Sequence, residues 1–85
     1  MIIEFHKNFD KKYQKLSRSI QEKVDTVLEV FIRDPFDRSL KNHALKGNLK
    51  GKRAIHVMGN MRIIFEEYGK YVLVVMLDVG THNQV

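Results

Sequence analysis

Cysteine is absent from the 85 residues, tryptophan is absent too, and proline occurs once. Without thiols the chain can hold no disulfide framework, iron–sulfur cluster or thiolate zinc site, and it offers no cysteine nucleophile. A cytoplasmic location is the simplest expectation. Long hydrophobic runs are missing as well: the longest, Tyr71 to Leu77, suits a strand. Charges interrupt the opening MIIEFHKNFDKKY before a secretory core or a membrane span of about 20 apolar residues can form, so no membrane partner is expected. Gly47-Asn48-Leu49-Lys50-Gly51 lacks the Gly-Lys-Ser/Thr ending and the preceding strand of a phosphate-binding loop. Phosphotransfer through such a loop is thereby set aside. His43, His56 and His82 stand far apart with no paired ligand spacing, so neither a metal nor another cofactor is expected.

What is present describes one small domain over residues 1–85, 44% hydrophobic and charged at +5. The charge is localised. Lys41, Lys46, Lys50, Lys52 and Arg53 fall in one stretch with no acidic residue, and without these five the remaining basic and acidic residues balance. A single concentrated patch of this kind favours a polyanion, a phosphate-bearing ligand or an acidic protein partner. A solvated lysine-rich loop is the plainer alternative.

The hydrophobic pattern changes period along the chain. Ile2, Ile3 and Phe5 suit a short first strand within Met1–Phe5. Phe9, Tyr13 and Leu16 then fall at helical spacing, and from Ile20 the positions Val24, Val27, Leu28, Phe31 and Ile32 do the same. Ser17 or Ser19 separates the two helices, with Ser19 and Glu22 fitting a capping box, and Asp34-Pro35 stops the second. Beyond Arg53 the spacing is that of strands, at Ala54–Met58, Met61–Glu66 and Tyr71–Asp78. Gly59-Asn60 and Tyr68-Gly69-Lys70 separate them as turns. The expected architecture is α+β: an N-terminal strand, a helical hairpin, then an antiparallel meander, with the helices on one face of the sheet. Alternation puts Ile55, Val57, Ile63 and Phe65 toward the helices, and Ala54, His56, Met58, Arg62, Ile64 and Glu66 away. The first hairpin thus brings His56 and Arg62 to the uncovered face. The stretch from Asp34 to Lys52 is too long for a plain connection and is expected to carry function.

A set of histidine, arginine and lysine suits metal-free cleavage of RNA. The ribose 2′-OH attacks the adjacent phosphodiester, a base removes its proton, cations stabilise the charge on phosphorus, and an acid protonates the leaving 5′ oxygen. Histidine changes charge near neutral pH, and arginine offers a planar fork to phosphate oxygens. A lone strand histidine or arginine is also commonly just a surface residue.

Four segments taken together, His43-Ala44-Leu45-Lys46-Gly47, Gly51 to Val57, Met61 to Phe65 and Leu77 to Asn83, resemble the RelE/ParE superfamily of bacterial type II toxins, and within it the YafQ-like branch. The resemblance covers essentially the whole chain. It implies the RelE-like fold and a toxin that is an mRNA endoribonuclease, usually acting in the ribosomal A site. It also implies restraint by an antitoxin with an acidic segment. His43 matches the loop histidine of that branch, His56 the strand histidine and His82 that of the terminal motif, all associated with catalysis there. Arg62 matches the arginine placed against the scissile phosphate. Lys46, Lys50, Lys52 and Arg53 would hold the RNA backbone or ribosomal RNA. In three places the chain departs from those relatives: Asn60 and Met61 replace an acidic residue and an aromatic, and Asp78 replaces an arginine. The alternatives are a ParE-like inhibitor of DNA gyrase, which needs no histidine set, and a non-catalytic domain binding RNA or an acidic protein.

Overall fold

A computed structural model describes residues 1–81. Chain order is β1 (Ile2–Phe5), α1 (Lys7–Lys15), α2 (Arg18–Arg33), β2 (His43–Ala44), β3 (Arg53–Met58), β4 (Met61–Tyr68) and β5 (Leu73–Thr81). The strands form one sheet in the order β1-β5-β4-β3-β2. β2 to β5 are antiparallel neighbours, whereas β1 pairs in parallel with β5, Ile2 opposite Leu73 and Phe5 opposite Met76. The meander and helical hairpin match the expectation, and the parallel edge makes the sheet mixed.

One face of the sheet is buried by the helices. Val24, Val27 and Phe31 form the buried stripe of α2, and Phe9 is the buried residue of α1. They meet Ile55, Val57, Ile63, Phe65, Val74, Met76 and Val79 from the sheet in a single core. Phe31 lies edge-on to Phe65 with ring centroids 5.0 Å apart, and both are fully buried. Met76 and Val79 are three apart yet face the same core, because the β4–β5 register shifts between Ile64 and Phe65 and leaves Leu77 as an extra residue. A bulge of this kind restores alternation and increases local twist.

Several local expectations are corrected. Ser17, not Ser19, caps α2: its side chain accepts from Ile20 N at 3.4 Å, and Ser19 lies inside the helix. The third meander strand starts at Leu73, because Lys70 and Tyr71 take left-handed φ of 55° and 70° and belong to the turn. Tyr68, expected in that turn, ends β4. The 34–52 stretch is built from short pieces, a 3-10 turn at Arg38–Leu40, strand β2 and a second 3-10 turn at Gly47–Leu49. Its Leu40 is 1% exposed and joins the core, anchoring the segment. Asp37 caps the first turn through Ser39 N and Oγ at 2.9 and 2.7 Å, which holds its carboxyl below the usual carboxylate range. Ala54 and Ile64 do point away from the helices, but both are buried and lie outside the main core. The second face is therefore partly covered, with Leu49 of the second 3-10 turn and Ile64 lining one hollow.

Two tests follow from the packing. Phe31→Ala should cost about 3–5 kcal/mol, most of the stability of so small a domain, measured by urea unfolding at low temperature. Tyr13 Oη donates to Asp25 Oδ1 at 2.6 Å and ties α1 to α2. That bond, reinforced by desolvation, raises the phenol above its usual value. The neutral phenol is the form bound in the folded state, so its stabilisation is full below the ordinary phenol pKa of about 10 and lost as pH rises through the raised one. Tyr13→Phe should therefore remove part of the alkaline loss of stability while leaving the neutral side of the profile parallel to that of the parent, read from melting temperature against pH.

Candidate active site

The β3–β4 hairpin sets His56 directly opposite Arg62, and on the other side of β4 Arg62 lies opposite Gly80. Directly opposed strand residues hold their Cβ atoms about 4.5–5.5 Å apart. β2 adds His43 opposite Ala54, so His43 stands diagonal to His56 on the same face. His43, His56 and Arg62, with Lys41, line one cavity of about 210 Å³. Three of the four residues expected to carry chemistry are thereby brought together. The fourth, His82, lies outside the described residues; Thr81, the last of β5, pairs with Met61 beside Arg62.

Arg62 is half-buried, and its Nε is shut off from solvent. A planar cation held there keeps a fixed direction. His43 Nδ1 lies 2.8 Å from Lys41 O. A carbonyl only accepts, so Nδ1 donates and the neutral ring keeps its lone pair on Nε2. Lys41 is in the left-handed region at φ 50°, which turns its carbonyl back toward the ring.

The four expected RNA-binding residues separate. Lys46 and Lys50 flank the Gly47–Leu49 turn and are exposed, and Lys52 lines a neighbouring hollow on the same face. Arg53 lies on the other face, opposite Phe65, where its Nε donates to Asn42 Oδ1 at 2.8 Å and its guanidinium carbon lies 5.9 Å from the Phe36 ring centre.

Asn42 was not visible as a key residue in the sequence, since one asparagine in a loop carries no pattern. Its amide nevertheless joins three elements: Nδ2 donates to Pro35 O and to Tyr71 Oη, each at 3.0 Å, while Oδ1 accepts from Arg53. Tyr71 is held in turn by Glu67 Oε1, which accepts from its backbone N at 3.0 Å, and by ring contacts with Phe31, Phe36 and Phe65. Asn42 immediately precedes His43, so this clasp fixes where β2 enters the sheet. Asp78, at a position where the YafQ-like pattern has arginine, pairs with Lys12 of α1 at 3.0 Å.

This fold is shared with solved bacterial toxins. YafQ from E. coli is 23% identical, with 96% of this chain and 93% of that chain covered and a TM-score of 0.80. A YoeB/ParE toxin from Agrobacterium tumefaciens is 19% identical, covering 96% of this chain and 99% of that one, with a TM-score of 0.79. The toxin–antitoxin complex RelBE2 from Mycobacterium tuberculosis contains a chain 21% identical, with coverage of 95% and 96% and a TM-score of 0.77. None of the curated proteins matches. The chain therefore has the fold of these RelE-type structures. The family model for YafQ, a bacterial toxin of type II toxin–antitoxin systems, matches residues 1–85, and the chain belongs to that family.

The clasp makes a direct prediction. Asn42→Ala should destabilise the domain by about 1–3 kcal/mol, because it leaves a part-buried guanidinium without its acceptor. In a double-mutant cycle with Tyr71→Phe, measured by urea unfolding, the two losses should overlap by about 0.5–3 kcal/mol.

Proposed function

We propose that this toxin is an mRNA endoribonuclease acting through the His43–His56–Arg62 cavity, with His82 completing the set. The observation that carries the reading is the convergence of two imidazoles and a partly buried guanidinium on the sheet face the helices leave open. In the reaction the substrate 2′ oxygen forms a bond to phosphorus as its proton passes to a histidine, and the bond from phosphorus to the 5′ oxygen breaks as a second histidine protonates that oxygen. The products are a 2′,3′-cyclic phosphate and a 5′-hydroxyl. Arg62 faces the oxygens on which charge accumulates, where a fixed donor is most effective. His56, directly opposite Arg62, is adjacent to the same phosphate. Its partner in proton transfer is His82, or His43 through the Nε2 that its bond to Lys41 O leaves available. Lys41, Lys46, Lys50 and Lys52 supply counter-charge to the flanking backbone.

The partner expected alongside it is an antitoxin with an acidic segment, which a +5 surface would attract. Related support comes from two solved structures described as complexes, RelBE2 from Mycobacterium tuberculosis and YoeB–YefM from Staphylococcus aureus. The ribosome, the setting that the family likeness implies, would present the mRNA. Among the described residues no helix is long and apolar enough to cross a membrane.

The reading is tested by primer extension on a reporter mRNA in a purified translation system, with and without ribosomes. Wild-type protein should create new ends within codons. His56→Ala and Arg62→Ala should each lower cleavage by about 10²–10³-fold, and Arg62→Lys should recover only part of the loss because an ammonium lacks the planar fork. Intact mRNA in every lane overturns the nuclease assignment and leaves gyrase inhibition or binding alone.

A further inference from the structure

A second hollow, of about 230 Å³, lies on the same face as the catalytic cavity and is lined by His6, Leu49, Lys52, Ile64, Leu77 and Asp78. Its position relative to the first is fixed by the sheet. Arg62 lines one cavity and Ile64 the other, two residues along β4, a step of about 7 Å. On β5 the residues opposite them are Gly80 and Asp78. The two cavities are therefore successive stations along one strand direction, separated by a distance on the scale of one extended nucleotide.

The second station has the composition of a base-binding site. Its floor is apolar: Ile64 is 3% exposed, Leu49 is half-buried, and Leu77 is the residue that the β5 bulge turns out of alternation. A flat aromatic base would cover these three side chains and remove them from water. Its rim is polar, with donors and an acceptor. His6 Nδ1 accepts from Asn8 N at 3.0 Å as the cap of α1, so the neutral ring carries its proton on Nε2 and presents a donor. Lys52 presents a second donor. Asp78 is the acceptor, held in place by Val79 N at 2.9 Å on Oδ1 and by Lys12 Nζ, 3.0 Å from Oδ1 and 3.2 Å from Oδ2. The edge of a nucleobase sets a donor beside an acceptor, and this rim offers the complement.

We infer that the hollow formed by His6, Lys52, Leu77 and Asp78 is a nucleobase subsite, which seats the base of the nucleotide next to the scissile phosphate. It rests on the nuclease reading for its biological use but not for its test. Neither Asp78 nor Lys12 then takes part in the chemical step. Their ion pair closes one wall of the base site and joins α1 to the sheet.

The test is a titration of the free protein with adenosine 5′-monophosphate and with ribose 5-phosphate, followed by backbone amide shifts. The nucleotide should move the amides of Ile64, Leu77 and Asp78, and the sugar phosphate should leave them in place. His6→Asn, which keeps a capping side chain, and Lys52→Ala should each weaken the nucleotide about 2–10-fold, the value of one hydrogen bond, with unchanged melting temperature. Equal shifts with the sugar phosphate, or nucleotide shifts confined to Lys41, His56 and Arg62, overturn the subsite. A protein that shows the nucleotide pattern but leaves mRNA intact keeps the subsite and loses the nuclease reading. One that cuts mRNA without the pattern keeps the nuclease and loses the subsite.

Discussion

The edge-to-face contact of Phe31 on Phe65 decides which side of the sheet is interior. Side chains alternate along a strand, so once Phe65 faces α2, Ile63 must face it too, and Arg62 and Ile64 must face the opposite way. A slip of one residue would bury Arg62 against the helices and expose Phe65. The pairing of β3 with β4 carries the same decision to His56, and the pairing of β2 with β3 carries it to His43. The face that carries His43, His56 and Arg62 is thus a by-product of the hydrophobic one. Among the described residues the helices cover one side, and the other side carries cavities.

The alternation that built this site was legible because it depends only on near neighbours. Ile55 and Val57 against His56, and Ile63 and Phe65 against Arg62, declare both faces within a single hairpin. Long-range pairing was not legible. Nothing in Ile2–Phe5 says that it joins β5 in parallel, and nothing in Ile64 says that Leu49 returns to line a hollow with it. The bulge at Leu77 was hidden for the same reason, since it exists only against β4. Arg53 shows the limit of charge counting. It belongs to the basic run by composition, yet strand parity sends it to the opposite face and into the Asn42 clasp. His6 and Asn42 gave no signal because each acts through a single geometric coincidence, a helix cap in one case and a three-way amide in the other.

The clasp also explains why a tyrosine occupies a backbone conformation usually left to glycine. A left-handed residue of this kind costs on the order of 1 kcal/mol, and Tyr71 follows Lys70, which is left-handed as well. The ring of Tyr71 contacts three phenylalanines, and its hydroxyl reaches Asn42. A glycine there would relieve the turn but would lose the link between the β4–β5 turn and the entry to β2.

The parallel ladder between β1 and β5 joins residues 2–5 to residues 73–76. Closing so long a loop costs more entropy than closing a hairpin does, so this ladder depends on the rest of the sheet being in place. The two cavities therefore depend on different parts of the chain. His43, His56 and Arg62 all belong to the segment from β2 to β4, whereas His6 is held in its hollow by the N-terminal strand that it follows. Loss of the β1–β5 ladder would therefore take a wall from the hollow that holds His6 and leave the row of His43, His56 and Arg62 in place.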